Sequence, residues 1–370
     1  MVAYIRELAV TQKAWLTDEA FKNGVALCQS IPGATAMQTA AYVGLRLKGV
    51  RGALSAYVGF GLPAFGLMVA LACLYQHGAG LQAVGSVLRG WQMVVIALVA
   101  NAAFSFGRSS LTDWRDCFLA LSAAAALGFG VNPAWVVGGA AAAGVGLRRT
   151  AVPAVLPGET SPPAVKPGQA GSLSYVGAAF LFAFIVAGGL TILFFTSRRL
   201  CDLALVMLKV DFLAFGGGYA SVPLMLHEVC ETRGWLDTKT FTDGIALGQV
   251  TPGPIVITAT FIGYQIASLP GALVSTGAVF SPSLFVLLLT EPYFDRLQRS
   301  AVFCLAVRGI LASFVGLLLF AMCRLSGAAP WTAGTTILAV VAFTALRFRI
   351  SMLWVVLGGA LAAIVLGLGT

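Results

Sequence analysis

Apolar residues run along this chain in long, charge-free stretches separated by short polar ones. The stretches cover residues 52–75, 90–107, 117–147, 171–197, 244–290, 325–346 and 350–370. A helix that crosses a bilayer needs roughly 20 apolar residues, so the longest stretches must fold back. Asn132-Pro133 supplies a break in 117–147, and Ser268, Leu269, Pro270 and Gly271 supply a turn in 244–290. The pattern predicts about ten to twelve crossings. All should be α-helical, because backbone polar groups in lipid must be paired within the segment. The expected fold class is an all-α polytopic membrane protein.

A second pattern overlies the first. Trp15, Leu16, Phe21, Gly24, Ala26, Leu27, Gln29, Pro32, Gly33 and Gly44 recur, in order, as Trp235, Leu236, Phe241, Gly244, Ala246, Leu247, Gln249, Pro252, Gly253 and Gly263. An internal duplication in an apolar chain is the repeat of a membrane transporter. It divides the chain into two homologous helical halves, 1–149 and 170–370. Between them, 150–169 carries Pro153, Pro157, Pro162, Pro163 and Pro167 without apolar periodicity and reads as a flexible linker. A Gly-rich segment, Phe215, Gly216, Gly217, Gly218, Tyr219 and Ala220, precedes the second copy. Trp15 has only 14 residues before it, so the matching first helix of the first half is expected to be missing from this chain.

Composition and charge sharpen the picture. Hydrophobic residues make up 59 % of the chain and charged ones 10 %, with a mean hydropathy of +0.91. Soluble domains carry about 25 % charge, so lipid must solvate most of this surface. The net charge of +9 is scattered over short loops, with no basic run longer than Arg148-Arg149 or Arg198-Arg199, and does not point to nucleic acid. It sets topology instead. The loop after the first repeated phrase holds Arg46, Lys48 and Arg51, whereas its counterpart, 265–270, is uncharged. One step on the bias reverses, with no Lys or Arg in 76–88 but Arg296 and Arg299 in 291–299. By the positive-inside rule the halves insert in opposite senses, an inverted-topology repeat. Arg108, Arg115, Arg148, Arg149, Arg233, Lys239, Arg347 and Arg349 then share the cytoplasmic side, and Arg198-Arg199 is the exception. The first twenty residues are polar and mixed, unlike a cleaved leader. The 7 cysteines contain no C-x-x-C pair and read as packing residues rather than a disulfide or metal framework.

The candidate chemistry lies at the repeated phrases. Proline removes a backbone donor inside a membrane helix, and glycine beside it permits a break. Gln29, Pro32 and Gly33 in one half, and Gln249, Thr251, Pro252, Gly253 and Pro254 in the other, therefore predict two broken helices. Half-helix N-termini expose N–H groups and the positive end of the helix dipole, an anion site made without charged side chains. Phe215, Gly216, Gly217 and Gly218 add a third turn with exposed amides, and Gln29, Gln38 and Gln249 supply neutral donors. A single Pro-Gly is as readily a packing kink, but two copies in inverted halves favour binding. Lys209 and Arg308 are the basic candidates to complete an anion site, with interfacial snorkelling the alternative for Lys209 and Arg89. Asp211, Glu228 and Asp243 are the acids available for proton coupling. His77 and His227 stand isolated near segment ends. Phosphate-binding, nucleophile-elbow, zinc-protease and dinucleotide phrases are absent, so neither an enzyme nor a cofactor is expected.

These residues carry a family resemblance. Phe215, Gly216 and Gly217, Trp235-Leu236, the run Gly248 to Pro254, and Ala259 to Tyr264 closely resemble the chromate ion transporter family. Gln29, Pro32, Gly33, Ala34, Gln38, Tyr42, Val43 and Gly44, with Leu62 to Phe65, are similar to that family's amino-terminal repeat. The resemblance covers essentially the whole chain, in the two-domain form. It departs in the missing amino-terminal Phe-Gly-Gly segment and in Ala34, which stands where the family has a second proline. The resemblance implies a multi-pass protein of the bacterial inner membrane that exports chromate and confers resistance to it. Potential-driven alternating access about a central oxyanion site is the expected mechanism. The alternatives are transport of sulfate or another tetrahedral oxyanion, or an inactive truncated paralogue. Expected partners are the oxyanion and the lipid bilayer, with assembly as a homo-oligomer left open.

Overall fold

The computed structural model describes residues 1–78, 82–147, 172–348 and 350–365, and the expected Pro-rich linker lies outside them. Among the described residues the regular elements are helical, joined by one isolated antiparallel bridge between Pro32 and Phe215. In chain order they are α1 (Val2–Arg6), α2 (Asp18–Ser30), α3 (Thr35–Gly78), α4 (Gln82–Ser110), α5 (Trp114–Gly128), α6 (Pro133–Gly146), α7 (Ser172–Thr196) and α8 (Arg198–Leu213). Then follow α9 (Ser221–Met225), α10 (Thr238–Val250), α11 (Thr258–Thr290), α12 (Phe294–Arg299), α13 (Ala301–Ala328), α14 (Ala333–Arg347) and α15 (Met352–Val365). The break at Asn132-Pro133 separates α5 from α6, as the sequence predicts. Among the described residues 5 helices are long and apolar enough to cross a membrane. In one of them, α7, Phe180, Phe184, Ile185, Ile192 and Phe195 are exposed, a surface only lipid solvates well.

The two longest helices are each a hairpin. Lys48 (φ −136°, ψ 24°) and Gly49 (φ 61°, ψ −150°) interrupt α3, and Ala267 (φ −146°, ψ 36°) and Ser268 (φ 49°, ψ −145°) interrupt α11. Gly44 lies so close to Gly52 that a Cβ on either would strike the other's carbonyl oxygen; Gly263 and Gly271 are related in the same way. Positions 44 and 52 of a straight helix would stand about 12 Å apart, so the chain reverses. The turn predicted at 268–271 is present, and the basic loop 46–51 is the matching turn of the first half.

The duplication extends into backbone detail. A π-helical segment, Glu7–Gln12, follows α1, and another, Leu226–Thr232, follows α9. Two residues beyond each comes a residue of positive φ, Ala14 at 47° and Gly234 at 58°. The amide of Trp15 then closes on the carbonyl of Ala9 at 2.7 Å, and that of Trp235 on Val229 at 2.8 Å. Thr17 and Asp237 cap α2 and α10 through their side chains, accepting from the amides of Ala20 and Thr240. The ring of Tyr42 fills the space that glycine leaves at Gly24, and the ring of Phe261 does so at Gly244.

Two compact units result, and neither follows the sequence halves. Unit 1 holds Met1–Pro63, Val137–Ser221 and Gly277–Leu311; unit 2 holds Ala64–Val136, Val222–Thr276 and Ala312–Thr370. Within unit 1, α13 crosses α6 where Gly309 meets Gly144 and the carbonyl of Ala140. Within unit 2, α4 crosses α15 where Gly90 meets Gly359 and Ala363, locked by Trp91 Nε1 donating to the carbonyl of Val356 at 3.0 Å. These are the same contact at repeated positions, and each pairs a helix from one half of the sequence with a helix from the other. Small residues allow such close approach in lipid, where packing rather than water expulsion drives association.

Candidate functional site

The first Pro-Gly break lies wholly within unit 1. Helix α2 ends at Ser30, Ile31 is extended, Gly33 takes φ 120°, and α3 starts at Thr35. The break is already well bonded. The Gly33 amide donates to the carbonyl of Ala214 at 2.8 Å, and the Ala34 amide to Ser283 Oγ at 3.1 Å. Gln38 is fully buried and donates from Nε2 to the carbonyls of Pro32 at 2.7 Å and Ser283 at 3.3 Å. A side chain at Gly33 would collide with Ser283. The amides that the sequence would offer to an anion at Pro32-Gly33 are thus spent on the fold.

Other amides stand beside them. Gly216 (φ 84°) and Gly217 (φ 107°) adopt backbone that only glycine takes readily, and Gly218 opens a short 3₁₀ turn. Among the described residues the amides of Gly217 and Gly218, and of Thr35 and Ala36 in the first turn of α3, have no backbone partner. A Cβ on Gly217 would stand 3.3 Å from Thr35 Oγ1, so the glycine turn and the start of α3 are adjacent. Phe215 reaches this place through its bridge to Pro32.

Ser283 is the hub behind the break, and sequence reading missed it. Its amide and its hydroxyl both donate to Asp211 Oδ2, at 2.9 and 2.6 Å. Asp211 is fully buried, and among the described residues its Oδ1 has no hydrogen-bond partner; nor has Oε1 of Gln38. Leaving one buried acceptor unpaired costs about 1–3 kcal/mol, and more when it is charged. Tyr57, also buried, donates to the carbonyl of Phe280 at 2.7 Å. The signal for Ser283 was Pro282, which removes a helical donor one residue earlier and loosens α11 at this point.

The second break lies in unit 2. After α10, Thr251 is extended and its hydroxyl donates to the carbonyl of Gly248 at 2.8 Å. The Gly253 amide closes a tight turn on the carbonyl of Thr251 at 2.9 Å. Pro252 is exposed, and Pro254 leads into a 3₁₀ turn, Ile255–Ile257, in which the amides of Ile255 and Val256 have no backbone partner among the described residues. Gly253 packs on Ala64, 2.5 Å from where its own Cβ would sit. Gln249 lines an apolar crevice with Trp91, Val94, Leu98 and Val356, and its buried Nε2 has no partner among the described residues. Asp243, also buried, differs from Asp211: Gln92 donates to Oδ1 at 2.7 Å and Tyr75 to Oδ2 at 3.0 Å. Both its oxygens are satisfied.

The remaining candidates are dispersed. Gln29 is exposed, whereas Lys209 and Arg308 of unit 1 are half-buried and already engaged in interactions. His227 is not the isolated residue the sequence implied. It is buried, 3.1 Å from Glu231 across one helical turn, and Glu231 also accepts from Arg324 Nε at 2.6 Å. His77 is exposed. All 7 cysteines are free, and among the described residues no cluster of three His, Cys, Asp or Glu could hold a metal ion.

Comparison with known proteins fits this architecture. The chromate transporter family profile matches residues 1–145 and 201–364. An uncharacterised transporter of Methanocaldococcus jannaschii is 39 % identical over 96 % of this chain and 87 % of its own length. A chromate transport protein of Cupriavidus metallidurans is 30 % identical over 99 % of the chain and 88 % of its own length. One from Pseudomonas aeruginosa is 31 % identical over 80 % of the chain and 68 % of its own. No solved structure matches. With its profile spanning both repeats of a helical, multi-pass membrane protein, the chain belongs to the chromate transporter family.

Proposed function

We propose that this protein carries chromate, a tetrahedral dianion, out of the cell across the bacterial inner membrane. The observation that carries the reading is the pairing of the Gly217–Gly218 amides with the first turn of α3 at Thr35 in unit 1. Backbone N–H groups at a helix start stabilise an oxyanion by hydrogen bonds and by the helix dipole. Unit 2 has its own amides at Ile255 and Val256, with Gln249 as a side-chain donor, and alternating access would expose such sites in turn. Lys209 and Arg308 add positive potential in unit 1, and Thr251, Pro252, Gly253 and Pro254 shape the break in unit 2. Two relatives bear the name chromate transport protein, which agrees with this substrate.

Energy is available for export. Moving one charge through the membrane potential is worth about 2.3 kcal/mol per 100 mV, so a dianion leaving an interior-negative cell gains about 4.6 kcal/mol. Radiolabelled chromate uptake into everted vesicles tests the reading. Uptake should rise with an imposed interior-positive potential, and competition by excess sulfate measures how selective the site is. Potential-independent background uptake by inserted protein would defeat it, and full competition by sulfate would assign the site to tetrahedral oxyanions in general.

A further inference from the structure

We infer that unit 1 holds a binding site for one small cation, with Asp211 Oδ1 and Gln38 Oε1 as its ligands. The two oxygens are the orphan acceptors of one hydrogen-bonded cluster. Asp211 and Gln38 are both fully buried, and both are fastened to Ser283, Asp211 through its amide and hydroxyl and Gln38 through its carbonyl. The amide orientation of Gln38 is fixed, because its Nε2 already donates to two carbonyls. Its oxygen must therefore be the free end. A buried carboxylate oxygen and a buried amide oxygen without donors call for an electron-pair acceptor, either a sodium ion or a proton. No ion pair to Asp211 forms among the described residues, so the charge is not cancelled by a fixed cation. Tyr57 of α3 is the titratable group facing Asp211 from a neighbouring element, and Lys209, two residues earlier on α8, projects from a different side of that helix and is engaged in an interaction of its own. Asp243 in unit 2 makes the contrast, since donors occupy both of its oxygens.

The site has a route to the oxyanion, and this step rests on the transport reading above. Asp211 binds Ser283, Ser283 Oγ holds the Ala34 amide, and the next residue, Thr35, opens α3 beside Gly217. An ionised Asp211 repels a dianion at these amides, and a bound cation removes that repulsion. Loading the cation therefore favours loading the oxyanion, and the pair moves with less net charge than the dianion alone.

Thermal unfolding of the purified full-length protein tests cation binding without any substrate. The midpoint should rise as sodium replaces choline at fixed pH, the sodium arm, or rise as pH falls without sodium, the proton arm. Asp211→Asn should abolish either response while still folding, since its amide keeps the bond from Ser283. Gln38→Met keeps the carboxylate and should raise the half-saturating cation concentration about tenfold. A wild-type midpoint indifferent to both sodium and pH would overturn the site, as would an unchanged response in both variants. Should Asp211→Asn fail to insert, Gln38→Met decides alone. A cation response in a protein that moves no chromate keeps the site and removes the transport reading; chromate transport with no cation response removes the site alone.

Discussion

At the residue scale, two positions pay for a conformation that their repeat partners adopt freely. Ala14 has φ 47° where the second half has Gly234, and Ser268 has φ 49° where the first half has Gly49. A left-handed non-glycine residue costs about 1–2 kcal/mol, while added glycine freedom in the unfolded chain costs about 0.5–1 kcal/mol. The first term is larger. Ala14→Gly and Ser268→Gly should each stabilise by about 0.5 kcal/mol and raise the unfolding midpoint in detergent. A lowered midpoint in both would show that these turns are not strained. The orphan oxygens at Asp211 and Gln38 belong to this scale too, and neither was visible from residue type. Asp211, Glu228 and Asp243 looked equivalent in the sequence. Hydrogen-bond donors from distant residues separate Asp211 from Asp243, and sequence spacing says nothing of those.

At the element scale, the glycine crossings carry the packing. A Cβ on Gly309 would collide with the carbonyl of Ala140 and stand 2.9 Å from Gly144 Cα. Backbone cannot yield as a side chain can, so α13 and α6 would be forced apart. Gly309→Val should cost more than about 2 kcal/mol and sharply lower the yield of folded protein in the membrane. Gly138→Ala, on α6 with open space at its Cβ, should be neutral within about 0.5 kcal/mol. Equal losses from the two substitutions would point to glycine content rather than to this crossing. The hairpins of α3 and α11 were partly legible. Leu269, Pro270 and Gly271 marked one turn and the basic run Arg46, Lys48 and Arg51 marked the other, but neither mark showed that the two arms pack back on each other through paired glycines.

At the scale of the whole molecule, the duplication and the compact units cut the chain differently. Each unit takes segments from both halves, so neither half contains a unit. Lys48 and Ala267 occupy the same hairpin position in the two copies, and loop charge predicts that they face opposite sides of the membrane. In a cysteine-free background, Lys48→Cys should be blocked to an impermeant maleimide in intact cells, and Ala267→Cys should react. Labelling of both from one side would defeat the inverted topology.

The solvent, the helices, the repeat and the family are legible in the amino-acid order, because they follow from local apolar length and from motifs that are contiguous in the chain. It also marked Pro32-Gly33 and Pro252-Gly253 as breaks, since proline and glycine act on their own backbone. Which amides remain open depends on the folded packing. The carbonyl of Ala214 and the hydroxyl of Ser283 claim those at Gly33 and Ala34, while Gly217 and Gly218 keep theirs. Hydrogen-bond satisfaction is settled by neighbours far away in the chain, and burial then fixes what an unmet oxygen is worth.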